Sequence, residues 1–274
     1  MAFRFYYFIY HYARTITYSM TYRSLSLVAF LSISAFTLAQ NKEYTPEDTE
    51  VWEPVPEVVS PGETDDQPPA DATVLFGGNN LDAWVIPDDT EWDVHDGIVT
   101  VVPSEEKKQV PTAIRTKEAF GDMQLHLEWR APAEIEGEGQ RRGNSGILIQ
   151  GRYELQIQDC YDNPTYVNGQ AAAIYKQHAP LVNACREPGE WQTYDVFYTA
   201  PTFDEIGIVQ TPAYITVVHN GILVQNHTEI KGRIKHVGLP SYEPHGKEPI
   251  FLQDHGNPVS FRNVWVREIG DTDE

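Results

Sequence analysis

Positive charge is scarce in this chain, where 20 lysine and arginine residues stand against 40 aspartate and glutamate residues and the formal net charge is −20. Because an acidic surface repels phosphate and releases no counterions from it, the composition argues against a nucleic-acid partner. The same repulsion disfavours docking on an anionic membrane surface. The acidity is typical of a solvated surface that keeps an exported protein soluble.

Cysteine is nearly absent, since Cys160 and Cys185 are the two in the sequence. In an oxidising compartment such a pair can form one disulfide. Spacing along the chain cannot show whether the two Cα atoms come close enough to be bridged, so two buried thiols are the alternative.

The N-terminal segment lacks acidic residues. It contains Arg4, Arg14 and Arg23, followed by the apolar run LSLVAFLSISAFTLA at 25–39. A basic region, an apolar core and small residues at its end predict a secretory signal peptide over residues 1–39, whose start could also be Met20. The run is short for a membrane span, so we expect no transmembrane helix after cleavage and a periplasmic or extracellular location.

The next segment, residues 40–70, is rich in proline, glutamate and aspartate and has little apolar periodicity. Such a stretch cannot bury enough surface to offset its ordering entropy, which predicts an acidic linker. We expect the globular domain over residues 71–270, with 271–274 as a tail. A single sandwich often has this length, so a second domain is not required.

Long helical periodicity and internal repeats are also missing after residue 71. Alternation of apolar and polar residues instead predicts half-buried antiparallel strands. These strands are expected at 123–130, 146–150, 153–158, 191–198, 213–226 and 261–269. Within 213–226, His219-Asn220-Gly221 separates two apolar runs, and Asn-Gly is a strong hairpin signal. Many short strands joined by turns predict an all-β sandwich or jelly roll.

One face of the predicted sheet is polar. Short connections predict that strands 123–130, 146–150 and 153–158 lie side by side. Their alternation then places a group of charged and amide side chains on one surface: Glu128, Arg130, Glu154, Gln156 and Gln158. Because such groups are costly to bury unpaired, the face is either solvated or shaped for a polar ligand. Amides and charges match the hydroxyls of a sugar, so a small carbohydrate is the expected partner.

Further candidates border this face. Trp191 and Tyr175 could supply an aromatic platform for a sugar ring, although a tryptophan in a sandwich is more often part of the core. Asn144 begins a predicted tight bend that would hold an amide beside the face, and plain turn chemistry explains it equally well. Asp254 could orient the neighbouring His255 as a base or acid, but adjacent residues on a strand point to opposite faces.

Six segments in a fixed order carry a family resemblance: LFGGNNLDAW (75–84), WDVHDGIV (92–99), GNSGILIQGRYELQIQD (143–159), AAAIYKQHAP (171–180), PGEWQTYDV (188–196) and LQDHGNPVSFRNVWV (252–266). Together they resemble the 3-keto-disaccharide hydrolase domain family over roughly residues 73–269. The resemblance implies a concanavalin-like jelly-roll sandwich of two antiparallel sheets. It also implies cleavage of glycosides whose glucose ring carries a ketone at C3, in an exported bacterial protein.

That chemistry requires a base for the C2 proton, donors for the enolate oxygen and an acid for the group leaving C1, after which water adds. Glu154 or His255 could be the base. Arg130, Asn144 and Gln156 could hold the oxyanion, and Gln253 and Asp254 could contact the sugar. The alternative is a metal-assisted enolisation in which a divalent cation is held by Glu154, Asp159 or His255. No ligand spacing in the sequence selects between these routes.

Three other functions stay open at this stage. A retaining glycosidase needs two carboxylates about 5–5.5 Å apart, but Asp159 has the opposite parity to Glu154 and glutamines stand where a second acid would be. A non-catalytic carbohydrate-binding module could use the same amides and aromatics, since sandwich folds host both functions. A structural surface protein would need no ligand at all.

Overall fold

The computed structural model of the protein describes residues 44–64, 67–103 and 112–270. These residues belong to two compact units, divided between Glu57 and Val58. In the first unit the described residues are exposed and contain one 3₁₀ helix, Pro46–Thr49. The predicted signal peptide, the start at Met20 and the tail 271–274 lie outside the described residues, and the domain boundary at residue 71 stays a prediction.

The described part of the second unit contains fifteen strands and two 3₁₀ helices, Gly139–Arg141 and Val167–Gly169. The strands are β1 (Thr73–Phe76), β2 (Trp84–Val85), β3 (Glu91–His95), β4 (Ile98–Val102), β5 (Thr112–Thr116), β6 (Met123–Arg130), β7 (Ser145–Ile149), β8 (Tyr153–Ile157), β9 (Gln192–Thr199), β10 (Thr202–Phe203), β11 (Val209–Thr211), β12 (Tyr214–His219), β13 (Ile222–Glu229), β14 (Phe251–Asp254) and β15 (Ser260–Glu268). Among the described residues no helix has the length and apolar character that a membrane crossing requires.

Two antiparallel sheets form the sandwich. The eight-stranded sheet has the order β13-β12-β9-β6-β15-β4-β3, with β1 also paired to β15, and the five-stranded sheet has the order β2-β5-β14-β7-β8. Strands β10 and β11 pair separately. The architecture confirms the predicted all-β jelly-roll sandwich of two antiparallel sheets.

The core lies between the two sheets because each strand turns its apolar positions inward. Leu125, Leu127 and Trp129 of β6 face Ile147 and other apolar residues of the smaller sheet, and all four are buried. One polar contact crosses this layer: the Tyr194 hydroxyl of β9 donates to the backbone carbonyl of Gln156 in β8 at 2.9 Å. This hydrogen bond ties β8 to β9 across the core. Strand β8 carries polar residues on the outer face of the smaller sheet.

Local patterns predicted the strands well, and one longer-range expectation is wrong. Strands appear in every segment expected from alternation, and Asn220 and Gly221 turn between β12 and β13 with φ of 52° and 80°, as a tight hairpin requires. However, β6 pairs with β9 and β15, whereas β7 and β8 pair in the other sheet. The connection between β6 and β7 changes sheets, so Glu128 and Arg130 do not share a surface with Glu154.

Candidate active site

The outer face of the five-stranded sheet carries a buried polar cluster centred on a glycine. Gly146 of β7 lies opposite Gln156 of β8, and the next pair on the same face of the sheet is Leu148 and Glu154. On the other side of β7, β14 pairs Phe251 with Leu148. The same register brings Gln253 beside Gly146, so that Glu154, Gln156 and Gln253 surround a position with no side chain. We call this surface the open face.

Glu154 depends on that missing side chain. A Cβ atom at residue 146 would lie 2.7 Å from Glu154 Oε1, so glycine makes room for the carboxyl group. Glu154 is only 5% exposed, and desolvation by burial raises the pKa of its carboxyl from 4.5 to about 8. Within residues 44–64, 67–103 and 112–270 no group donates a hydrogen bond to this carboxylate. A carboxyl group with a pKa near neutral pH can accept and return a proton.

A chain of hydrogen bonds fixes the amides around Glu154. Asn144 Nδ2 donates to the backbone carbonyl of Gln140 at 2.7 Å, so Asn144 Oδ1 must be the atom that accepts from Gln156 Nε2 at 2.9 Å. A carbonyl can only accept, and this orients both amides. Gln156 Oε1 is then left as a buried acceptor with no partner among the described residues, as are Gln140 Oε1 and Gln253 Oε1.

This orientation changes the role expected for Gln156. Its amide nitrogen already donates to Asn144 Oδ1 and, at 3.3 Å, to the carbonyl of Ile157. Gln156 therefore presents an oxygen acceptor, and it is not the donor that a developing oxyanion needs. An unpaired buried acceptor costs about 1–3 kcal/mol unless a ligand supplies a donor. The open face is thus suited to a ligand rich in hydroxyl groups.

Two tyrosines border the cluster. The segment 172–175 runs antiparallel beside β8, with Tyr175 N–H donating to the carbonyl of Glu154 at 3.0 Å. Tyr175 therefore lies next to Glu154 on the open face. Its hydroxyl is 2.6 Å from the hydroxyl of Tyr166. Sequence reasoning missed Tyr166 and Gln140, because Tyr166 lies in a loop and Gln140 in the short 3₁₀ helix Gly139–Arg141, where no periodicity marks a side chain as facing the site.

Arg130 and Trp191 lie elsewhere, which corrects their expected placement beside Glu154. Both are on the outer face of the eight-stranded sheet, where the Arg130 guanidinium lies 4.6 Å and that of Arg262 4.2 Å from the centre of the Trp191 ring. The physical reason is the change of sheet between β6 and β7. These two residues are on the far side of the core from the open face.

Asp254 and His255 separate at the end of β14. The Asp254 carboxylate accepts hydrogen bonds from Thr90 Oγ1 at 2.8 Å, Thr112 Oγ1 at 3.0 Å and the Gly256 N–H at 2.9 Å. It therefore fastens β14 to its neighbours, whereas Gln253 projects to the open face. His255 is exposed. Partial desolvation lowers its pKa, and the charge of Asp254 opposes that lowering.

The three ligands considered for a metal do not come together. Asp159 accepts from Arg142 Nε at 2.5 Å and from the Tyr161 N–H at 3.0 Å, so its carboxylate is already neutralised. No cluster of three or more His, Cys, Asp or Glu side chains in the described parts of the chain is arranged to hold a metal ion. Glu154, Asp159 and His255 therefore do not fit the metal-assisted alternative.

A cavity of about 510 Å³ adjoins the Asn144 end of the cluster. Its lining includes Arg141, Gly143 and Asn257, and Asn257 Oδ1 accepts from the Asn144 N–H at 3.1 Å. This volume is within the range of small-molecule sites. The Asn144 end of the cluster therefore lies beside a space that charged and polar groups help to line.

The two cysteines lie close together near this region, and their thiols are not bonded to each other. A hydrogen bond with Cys160, together with burial, raises the pKa of the Cys185 thiol. A disulfide under oxidising conditions stays a prediction.

Comparison with known proteins gives a family match over most of the second unit. The model of the 3-keto-alpha-glucoside-1,2-lyase-like domain matches residues 71–267. The crystal structure of a candidate glycosyl hydrolase from Parabacteroides distasonis ATCC 8503 is 50% identical with a TM-score of 0.76, covering 84% of this chain and 98% of its own. A second candidate glycosyl hydrolase from that organism, 20% identical with a TM-score of 0.53, covers 73% and 94% and shows the same fold. No curated protein matches the chain.

Proposed function

Because this chain belongs to the family of 3-keto-α-glucoside-1,2-lyase-like domains, we propose that it cleaves 3-keto-glycosides or 3-keto-disaccharides. The reaction would proceed by removal of the C2 proton, elimination of the C1 substituent and addition of water. The observation that carries this proposal is the buried Glu154 carboxyl, set over Gly146 with a pKa of about 8. An exported location, predicted from residues 1–39, is part of the proposal.

Glu154 is suited to the first step. The C3 ketone makes the C2 proton acidic, and a carboxylate taken out of water is a stronger base than one in solvent. Burial is the cause that raises the pKa of this carboxyl, and no described residue donates a hydrogen bond to its charged form. The unpaired oxygens of Gln156 and Gln253 would accept hydrogen bonds from hydroxyl groups of the sugar and hold the ring above Gly146.

The second candidate function is a non-catalytic carbohydrate-binding module. It would use the same acceptors, and the family match alone does not distinguish it from an enzyme. Binding, however, does not require a carboxyl that is desolvated and unpaired, an arrangement that costs stability. Perturbed carboxyl groups cluster at catalytic sites, and this favours the enzyme.

The test is a turnover assay on 3-keto-trehalose and 3-keto-glucosides beside their unoxidised parents. The wild-type protein should cleave only the oxidised sugars. Glu154→Gln should lower kcat by about 10²–10⁴-fold, the usual contribution of a general base. The matched control is Glu128→Gln, on the other sheet, which should keep its turnover.

Two outcomes would contradict the proposal in different ways. If the wild-type protein leaves every 3-keto substrate intact while a known active enzyme cleaves them, the function is wrong. If Glu154→Gln turns over normally, Glu154 is not the base. Unchanged sugar affinity in all variants without turnover in any would support the binding module.

A further inference from the structure

The proposed elimination needs an acid as well as a base. When the C1–O bond breaks, the departing oxygen carries the electron pair of that bond and is a poor leaving group unless a proton reaches it. Arg130 is on the far side of the core, and Gln156 presents an acceptor. A donor is therefore required among the other side chains of the open face.

The Tyr166 and Tyr175 pair is positioned for this role. Tyr175 lies next to Glu154, since its N–H donates to the Glu154 carbonyl at 3.0 Å and both residues face outward. An acid beside the base can reach C1 when the base reaches C2, because these carbons are bonded to each other. The hydroxyl of Tyr166 lies 2.6 Å from that of Tyr175.

The ring of Tyr166 packs closely against the backbone of Gly169. A Cβ atom at residue 169 would lie 2.0 Å from Tyr166 Cε2, so Gly169 is needed to seat the Tyr166 ring. Lys176 Nζ donates to the carbonyl of His236 at 2.6 Å and lies 5.7 Å from the ring centre of Tyr175 and 5.8 Å from that of Tyr166. This ammonium group therefore lies within cation–π distance of both rings.

The hydrogen bond between the two hydroxyls uses one O–H of the pair and leaves the other available to a ligand. Burial and the contact with Tyr175 raise the pKa of Tyr166, with a smaller effect from the nearby Glu154 charge. Tyr166 therefore stays protonated and can donate its O–H to the Tyr175 oxygen. The Tyr175 O–H is then free to donate to a ligand, and the hydrogen bond from Tyr166 stabilises the phenolate that forms when the proton leaves.

We propose that Tyr175 is the catalytic acid that protonates the leaving oxygen, and that Tyr166 is a positioning residue that supports it. This inference rests on the proposed function. Glu154 takes the C2 proton, and the C2–H electrons form the enolate of the C3 ketone. The enolate then collapses to a C1=C2 bond, the C1–O bond breaks, and the Tyr175 proton moves to the departing oxygen. Glu154, now protonated, returns a proton to Tyr175, so the site is restored.

A leaving-group series tests this step. A sugar or alkyl alcohol needs a proton as it departs, whereas 4-nitrophenol leaves as a stable anion. On 3-keto-glucosides with alkyl or sugar leaving groups, Tyr175→Phe should lower kcat/KM by about 10²–10³-fold. On the 4-nitrophenyl substrate the loss should be below about fivefold, since general-acid catalysis contributes little there.

Tyr166→Phe should show the same dependence on the leaving group with a smaller loss. On alkyl substrates kcat/KM should fall roughly tenfold, which is the effect expected for the loss of one hydrogen bond. Tyr161→Phe is the matched control, because its hydroxyl contacts only the exposed Glu187 among the described residues, and it should leave both substrates unaffected. Turnover of the 4-nitrophenyl substrate also reports that each variant is folded.

The outcomes separate the two proposals. Equal losses on both kinds of substrate in Tyr175→Phe would assign Tyr175 a structural or binding role and overturn the inference. Full activity of Tyr175→Phe on alkyl substrates would overturn it as well. If the wild-type protein cleaves neither kind of substrate, the proposed function itself is wrong. That result comes from the wild type alone, so it is distinct from a failure of the role given to Tyr175.

Discussion

The outer faces of the two sheets carry similar residue types, but the polar groups are paired on one face and unpaired on the other. On the eight-stranded sheet His126 Nδ1 pairs with Asp195 Oδ1 at 2.7 Å, and Arg262 Nε donates to Glu128 Oε2 at 2.6 Å. Asn263 Nδ2 lies 3.2 Å from both Glu128 Oε1 and His126 Nε2 and joins the two pairs. We call this surface the paired face, because these four charged or titratable side chains have partners of opposite charge and Asn263 joins them by hydrogen bonds.

The open face lacks such complementarity. Glu154 has no hydrogen-bond donor in the described residues, and the amide oxygens of Gln140, Gln156 and Gln253 have no partner there. Burial alone raises the pKa of Glu154. The contrast shows that a glutamate, a histidine or an amide on a sheet does not by itself indicate chemistry. What distinguishes the open face is that its acceptors are buried and unsatisfied, which a bound ligand can correct.

The largest expected difference between the faces is the effect of pH on stability. The pKa of Glu154 is raised from 4.5 in the unfolded chain to about 8 in the fold. The protonated carboxyl therefore makes its full contribution to the free energy of unfolding below about pH 4.5, and this contribution is lost as pH rises through 8. Glu154→Gln cannot ionise. Its free energy of unfolding should therefore exceed that of the wild type increasingly from about pH 5 to pH 9, by up to about 5 kcal/mol.

Urea unfolding of both proteins at several values in that range would measure this difference. Glu128→Gln is the control from the paired face. It removes the ion pair with Arg262, so it should lower the free energy of unfolding, in the opposite sense to Glu154→Gln at alkaline pH. A Glu154→Gln protein that gains nothing between about pH 5 and pH 9 would show that the carboxyl is solvated or paired.

The next effect tests the room that Gly146 leaves. In Gly146→Ala the new methyl group would lie 2.7 Å from Glu154 Oε1 and displace the carboxyl. A catalytic group moved by about 1 Å can cost 10²-fold, so kcat/KM should fall about 10–100-fold. Gly121→Ala is the control, because its Cβ would meet only the flexible side chain of Lys247, at 3.3 Å. Full activity of Gly146→Ala would mean that the carboxyl is not held where the base must act.

A smaller effect concerns the unpaired amides. Gln253→Met removes an acceptor that has no partner in the described residues, so the free energy of unfolding should rise by about 1 kcal/mol while KM increases. The matched control is Gln192→Met in the eight-stranded sheet. Gln192 accepts from the Arg186 N–H and from Asn220 Nδ2, and its loss should destabilise the protein by about 1–3 kcal/mol. Destabilisation by both changes would show that Gln253 is paired in solution.

Sequence reasoning predicted the strands and the Asn220-Gly221 hairpin because alternation and turn chemistry are local. It also identified Glu154, Asn144 and Gln253, which share the open face. It placed Arg130 on the wrong sheet, since the pairing of β6 with β9 and β15 depends on contacts between distant parts of the chain. The acceptor orientation of Gln156 follows from a hydrogen-bond chain that ends on the backbone carbonyl of Gln140, and no residue pattern encodes it.

The smallest expected effect is at Trp191, which tests the comparison on the paired face. Its ring lies under the guanidinium groups of Arg130 and Arg262, so Trp191→Leu should lower the free energy of unfolding by about 1 kcal/mol, the range of partly exposed cation–π contacts. Since the ring is already occupied by these cations on the paired face, KM and kcat should change less than about twofold. Tyr175→Leu, an aromatic loss on the open face, should raise KM in the same steady-state assay. If Trp191→Leu instead raises KM as much as Tyr175→Leu does, sugar binds to both faces, and complete pairing of polar groups does not exclude a ligand site in this fold.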